Sequence, residues 1–400
     1  MQRFKSIKKR LAERMSRLGT ETAFEVLKMA QELERKKCVK VIHLQIGQPD
    51  FPTPDEIIEA ATISLNAKET GYSPSPGIPQ LREVIAKSVS ASREIKVKPE
   101  NVVVTAGGKF VIPSAVNALV NKGEEVIYPN PGYPIYESWS DFMHCKLVPI
   151  QLREENDFRL DVKELRKLVT RKTKLIIINS PQNPTGSVLT IDDLEAIAEI
   201  AKKRDLIVLS DECYGRIIYD QKFSSIASLP GMQKRTIILD AFSKTYAMTG
   251  WRVGYGIMHK DLAPYFARLV TNNYSCLPIF TQKGAIAALE DKTGNIERQV
   301  AAMVAEFKRR RDYLVSEINK IPRLSCKLPG GAFYLLVNIK KTGLESDEFF
   351  DRLLYEAFVA GLSGTAFGKF GEGYIRLSYA NSMENIKVAI ERIRDFVRKL

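Results

Sequence analysis

Histidine is scarce. His43, His144 and His259 stand far apart, so the chain holds no local histidine cluster of the kind zinc requires, and no metal is expected. Cysteine is sparse and odd in number. Cys38, Cys145, Cys213, Cys276 and Cys326 include no C-x-x-C pair, which excludes thiolate metal motifs and leaves the reduced, partly buried thiols of a cytoplasmic protein. No run of about eighteen apolar residues occurs, so no membrane span is expected. The basic start MQRFKSIKKR has no apolar segment behind it, and Glu13, Glu21 and Glu25 follow closely. Both features argue against a secretory or mitochondrial leader and for a solvated helix start. Repeats with periods of about 20 to 50 residues are absent.

What is present is an ordinary globular balance. The chain has 400 residues, 44% apolar and 27% charged, enough to bury a large core without staples. The net charge of +13 suits an enzyme of anionic ligands and equally a nucleic-acid binder.

The middle of the chain alternates short apolar runs with helical stretches. Val102–Thr105, Glu125–Tyr128, Leu175–Asn179, Leu206–Ser210, Thr236–Asp240 and Arg252–Met258 read as strands. They are apolar without alternation, as strands covered on both faces are. Thr190 to Arg204 reads as a helix opened by a Thr/Asp cap. After Gly284 the pattern becomes α+β. A charged helix runs from Glu297 to Ile321, the Pro329-Gly330-Gly331 turn follows, and two strands (Ala332–Asn338, Tyr374–Ser378) alternate with helices Ser346–Phe358 and Met383–Lys399. The expected fold class is therefore α/β. A large domain over 51–290 would hold a mostly parallel sheet between helices. An α+β region would follow it, with the connecting helix, over 291–400.

Open α/β sheets bind ligands beyond the carboxyl ends of their strands. Gly107-Gly108-Lys109 follows one strand and opens a helix, which makes either an anion cup or a plain turn. Asn183-Pro184-Thr185-Gly186 follows another and reads alone as a turn. Asp211 emerges from a run as apolar as LIVLS and must be paired or functional; Tyr214 lies three residues on. Lys244 ends the fifth strand, where desolvation would free its amine for Schiff-base chemistry unless it snorkels to the surface. Arg252 follows. As a set these residues suit pyridoxal phosphate: an amine for its aldehyde, donors for its phosphate and an acid for its ring nitrogen.

The segments IGQPDFPTP (46–54), GYSPSPGIPQLR (71–82), TAGGK (105–109), YPNPGYPIY (128–136), NSPQNPTG (179–186), SDECYGRIIY (210–219), AFSKTYAMTGWRVGY (241–255), PGGAFY (329–334) and YIRLSYA (374–380) occur in this order. On them the chain resembles the class I/II aminotransferases of the aspartate aminotransferase fold, fold type I, and within these the prokaryotic-type subgroup. The resemblance implies a smaller α+β domain built from both termini, with an arm and part of it at 1–50 and the connecting helix and remainder at 291–400, and it implies roles. Lys244 would bind the cofactor aldehyde and move the substrate proton. Asp211 would pair with the ring nitrogen. Tyr214 and Asn183 would bond the phenolic oxygen, Asn183 also reaching the substrate carboxylate, and Tyr133 would stack on the ring beside the substrate. Gly107, Gly108, Lys109, Ser243 and Arg252 would hold the phosphate. Arg376 and the Gly47 backbone would take the substrate α-carboxylate, and Tyr72 would reach the phosphate of a partner subunit in a homodimer.

Two departures stand out. Ala241 occupies a position where the family usually carries Ser or Gly. The stretch LGTETAFEV (18–26) replaces a Pro-Ser-Ala-Thr-like loop that aspartate-directed members use for the distal carboxylate, which leaves Lys109 as the expected distal cation. The expected activity is transamination between an aspartate-like or broad range of L-amino acids and a 2-oxo acid, with 2-oxoglutarate and glutamate as one pair. Aromatic or alanine donors, or another reaction of the same cofactor such as β-lysis or synthesis, are the alternatives. A DNA-binding regulator is the third reading. It would need a winged-helix domain, and only about twenty residues precede the resemblance, so no nucleic-acid partner is expected.

Overall fold

In a computed structural model of the chain, residues 10–400 are described. The helix start expected of MQRFKSIKKR lies, but for Arg10, outside them. A helix, Thr22–Lys37, leads into a two-residue strand, β1 (Ile42–His43). Seven strands then form one sheet: β2 (Val102–Ala106), β3 (Glu125–Asn130), β4 (Lys146–Gln151), β5 (Thr173–Asn179), β6 (Ile207–Asp211), β7 (Thr236–Ala241) and β8 (Val253–Ile257). Their spatial order is β2-β8-β7-β6-β5-β3-β4. β8 is antiparallel to both neighbours, and every other adjoining pair is parallel. The protein is thus α/β with a mostly parallel sheet, as its apolar runs predict.

Both faces of the sheet are covered. Along β5, Leu175 and Ile177 pack with Val103, Leu209 and Ile237, whereas Ile176 and Ile178 pack on the other face with Val208. Each side chain so buried contributes about 1.5–3 kcal/mol relative to exposure. β4 differs. KLVPIQ is a half-exposed edge strand carrying Pro149, and its mixed pattern gives no strand signal in the sequence. Helix Ile191–Arg204 opens as predicted: the Thr190 hydroxyl accepts from the Asp193 N–H, and the Asp193 carboxylate accepts from the Thr190 N–H.

The remaining strands are β9 (Ser325–Cys326), β10 (Tyr334–Asn338), β11 (Val359–Ala360), β12 (Leu362–Ser363) and β13 (Tyr374–Ser378). An antiparallel sheet runs β12-β13-β10-β9, and β11 pairs in parallel with β1. Phe307 and Leu314 of the long helix Asn295–Ile318 pack with Val26 and Leu33 near the start and with Leu377 and Ile390 near the end, so both terminal segments share one core. Among the described residues no helix is long and apolar enough to cross a membrane. Nor does any group of three or more His, Cys, Asp or Glu stand ready to hold a metal.

Two neighbouring acids leave β6 with different fates. The Glu212 carboxylate accepts from Arg93 Nε at 3.0 Å and from the Ser210 and Ser225 hydroxyls at 2.9 and 2.5 Å. Arg93 also pairs with Asp240 at 2.9 Å, tying helix Pro79–Arg93 to β7. Glu212 is a structural acid. Arg93→Met would leave two largely desolvated carboxylates unpaired, a loss expected to cost about 3–5 kcal/mol. Urea unfolding checks this as a lowered midpoint at unchanged slope.

Candidate active site

The carboxyl ends of β2, β3, β5, β6 and β7 share one sheet edge with the amino end of the reversed strand β8, because Ala106 pairs with Val253 and Ala241 with Gly254. Residues distant in sequence therefore gather there. Gly47, Gly108, Lys109, Tyr133, Asn183, Asp211, Tyr214, Ser243, Lys244, Arg252 and Arg376 line one cavity of about 480 Å³. Gly107 lies directly under Arg252, and a Cβ on it would come 2.2 Å from Arg252 Nη2. Tyr72 does not line this cavity and is 90% exposed.

β7 ends at Ala241, and a short helix, Phe242–Thr245, presents Lys244 to the cavity. The amine donates to the Gly47 carbonyl at 2.5 Å and lies 6.0 and 5.9 Å from the centroids of the Tyr214 and Phe333 rings. Burial pushes its pKa down to about 8, the Arg376 and Arg252 charges adding to the effect while Cys213 and Glu21 oppose it. A larger share of this amine is unprotonated at neutral pH than of a surface lysine.

Asp211 is buried and, unlike Glu212, is met by no lysine or arginine among the described residues. It accepts from the Tyr136 hydroxyl at 2.6 Å and from the Cys213 N–H at 3.3 Å. Burial holds its pKa above the ordinary carboxylate value. The Tyr214 and Tyr334 hydroxyls bond each other at 2.7 Å. Gly47 lies under Tyr334, whose hydroxyl would be 2.2 Å from any Cβ there.

Arg376, in β13, is buried between the rings of Tyr334 and Phe367, its guanidinium carbon 4.4 and 4.9 Å from their centroids. Nη1 donates to Asn183 Oδ1 at 3.1 Å and Nη2 to the Gln45 carbonyl, while Nε is buried without a partner. Arg252 has left-handed backbone at the entry to β8, and its guanidinium reaches only carbonyls, those of Thr249 at 2.9 Å and Ala106 at 3.4 Å. Beside it the glycine turn is pressed against β7 and β8. A Cβ on Gly108 would meet Leu239 at 2.9 Å and the Ala241 methyl at 3.2 Å, and one on Gly254 would stand 2.3 Å from the Gly108 nitrogen. The helical turn that follows starts with N–H groups free of in-helix partners.

This donor set fits pyridoxal phosphate. Among the described residues, a half-buried amine of lowered pKa, a buried acid lacking a cation, and an arginine without an acidic partner beside a helix start match the aldehyde, the ring nitrogen and the phosphate.

One expected residue has a partner that the sequence does not announce. Lys109 lines the cavity with its ammonium ion-paired to Glu21, which also accepts from the Tyr133 hydroxyl at 2.8 Å. The Tyr133 ring meets Tyr136 edge-on at 5.6 Å. Glu21, Tyr136, Tyr334 and Gln45 are site residues that the sequence does not single out. Tyr136 and Tyr334 close the YPNPGYPIY and PGGAFY segments and Glu21 sits in the divergent stretch 18–26, so position within a segment is the signal those three carry, while Gln45 lies just before IGQPDFPTP and carries none.

The profile of the family described as "Aminotransferase class I and II" matches residues 39–393. An aspartate aminotransferase of Pyrococcus abyssi is 43% identical over 361 residues, covering 90% of this chain and 92% of its own. Aromatic-amino-acid aminotransferase 2 of Thermococcus litoralis is 39% identical over 97% of this chain and 98% of its own. The crystallised aspartate aminotransferase of Thermus thermophilus with maleate superposes with a TM-score of 0.92 at 32% identity, covering 96% of this chain and 99% of that one. The geometry of the site and these likenesses agree, and the chain belongs to the class I and II aminotransferases, enzymes that work through pyridoxal phosphate.

Proposed function

We propose that this aminotransferase exchanges amino groups between a broad range of L-amino acids and 2-oxo acids, with glutamate and 2-oxoglutarate as one pair. When bound, pyridoxal phosphate supplies an aldehyde that carries the amino group and a ring that accepts the electron pair left when the Cα proton departs. Lys244 would hold that aldehyde, and its Nζ would carry the proton that leaves the substrate Cα. Its lowered pKa supports both tasks. Asp211 holds a proton on the ring nitrogen, and Tyr136 fixes the carboxylate for that purpose. Tyr214 and Asn183 bond the phenolic oxygen, and Tyr133 covers the ring. Arg252, Ser243 and the N–H groups of the Gly107-Gly108-Lys109 turn hold the phosphate.

The observation that carries the reading is Arg376. A buried guanidinium with an unpartnered Nε, oriented by Asn183 and sandwiched by two rings, is a fork preset for a planar carboxylate. The Gly47 backbone completes the pocket for the group all amino acids share. Arg376→Ala is therefore expected to lower kcat/KM for every donor by roughly ten- to a hundredfold, about 1.5–3 kcal/mol. A panel of acidic, aliphatic and aromatic donors against 2-oxoglutarate tests this. A loss confined to dicarboxylic donors would overturn the assignment.

The working enzyme is read as a cytoplasmic homodimer. Tyr72, 90% exposed and outside the lining of its own cavity, would serve the phosphate of a partner. The five free cysteines suit a reducing compartment. Residues 51–290 are read as the large domain, and 1–50 with 291–400 as the arm, connecting helix and small domain, in line with the core shared by both terminal segments.

A further inference from the structure

We propose that Glu21 determines side-chain specificity by placing its own carboxylate where a substrate's second carboxylate would bind on Lys109. The assignment deepens the aminotransferase reading and rests on it.

Glu21 caps the start of helix Thr22–Lys37 with extended backbone but gives that helix no side-chain bond. Its side chain turns instead into the cavity, where it is 20% exposed. One oxygen, Oε1, takes both the Lys109 ammonium and the Tyr133 hydroxyl. Glu21 lines the same cavity as Lys244 and Arg376.

Elimination makes the contact consequential. The cationic side chains lining the cavity are Lys109, Lys244, Arg252 and Arg376. Lys244 serves the aldehyde, Arg252 the phosphate and Arg376 the α-carboxylate. Among this chain's described residues Lys109 remains for a distal carboxylate, and Glu21 already pairs with it. A dicarboxylic substrate must expel Glu21 from Lys109 or lie against a like charge. A neutral side chain meets no such conflict, and Ala23, Phe24, Ile46, Leu362 and Phe367 offer it apolar lining. The pair thus sets the enzyme toward neutral and aromatic side chains, with dicarboxylates admitted at the expense of an internal ion pair.

Single-turnover half-reactions of the holoenzyme, read from cofactor absorbance, test this without interference from the acceptor. Glu21→Gln keeps an acceptor for Tyr133 but removes the charge. The ratio of kcat/KM for glutamate over phenylalanine is expected to rise roughly ten- to a hundredfold in Glu21→Gln, the range of a charge-assisted bond. Adding Lys109→Met to that variant is expected to bring the ratio back down, since the gain acts through Lys109. Succinate titrated by calorimetry gives a readout without turnover, and its dissociation constant should fall in Glu21→Gln. Glu21→Ala serves if the Gln variant folds poorly. An unchanged ratio, or a ratio that rises equally with Lys109 replaced, overturns the role of Glu21. A wild-type holoenzyme that responds to neither glutamate nor phenylalanine overturns the aminotransferase reading instead, and the succinate titration then still decides whether Glu21 guards Lys109.

Discussion

Replacing Lys244 by alanine is expected to lower transamination by roughly 10⁴-fold or more, because one amine both holds the cofactor and moves the proton. No neighbour can substitute. The other lysine lining the cavity, Lys109, is tied to Glu21. The purified variant should lose the yellow colour of covalently held cofactor, and borohydride reduction of the wild type should tag Lys244 in peptide maps. The lowered pKa adds a pH signature. Only the unprotonated amine captures an aldehyde, so the rate of cofactor loading onto the apoenzyme should climb with pH up to about 8 and then level off. An unshifted lysine would keep climbing to beyond 10. A tag on another lysine, or substantial activity in the alanine variant, contradicts the assignment.

Asp211→Ala is expected to cost on the order of 10²–10³ in kcat at saturating cofactor, the scale on which one preset charge at a reacting centre acts. The acid has been prepared for a cation that the protein itself does not supply. It is buried, its pKa is raised, and its carboxylate accepts from the Tyr136 hydroxyl and the Cys213 N–H, with no lysine or arginine on it among the described residues. The variant should still bind cofactor through Lys244 and the phosphate site. Stability should fall by about 1–3 kcal/mol, since Tyr136 loses its acceptor. Steady-state rates beside a thermal unfolding curve separate the two effects. Rates close to wild type would show that Asp211 does not support the ring nitrogen.

Much of the site was legible because buried strands write themselves as apolar runs. A polar residue ending such a run is conspicuous, as Asp211 is, and Asn183 and Lys244 follow within four residues of the ends of β5 and β7. Their convergence follows from one rule, that strands of a parallel sheet open at a common edge. Arg252 joins them from the other direction because β8 is reversed, a pairing that spacing alone does not reveal. Asp211 and Glu212 look alike in the sequence. Only the position of Arg93, 119 residues before Glu212, makes one structural and leaves the other for the cofactor. Glu21 is not legible as a site residue for the same reason: its partners lie 88 and 112 residues away, and a glutamate before a helix has an ordinary reading as a charged N-terminus. β4 escaped because an edge strand with a proline has no continuous apolar run. Periodicity reports burial, and it is silent about pairs formed across a cavity.

The central claim, that this cavity moves an amino group by way of Lys244, is tested most directly by one half-reaction. Purified holoenzyme mixed with glutamate and no acceptor should yield one 2-oxoglutarate per active site and stop, with the cofactor absorbance shifting in step. Addition of a 2-oxo acid should then restore the original spectrum. Continued release of product beyond one equivalent, or release of carbon dioxide or ammonia in place of 2-oxoglutarate, would contradict transamination and assign the same residues to a different reaction.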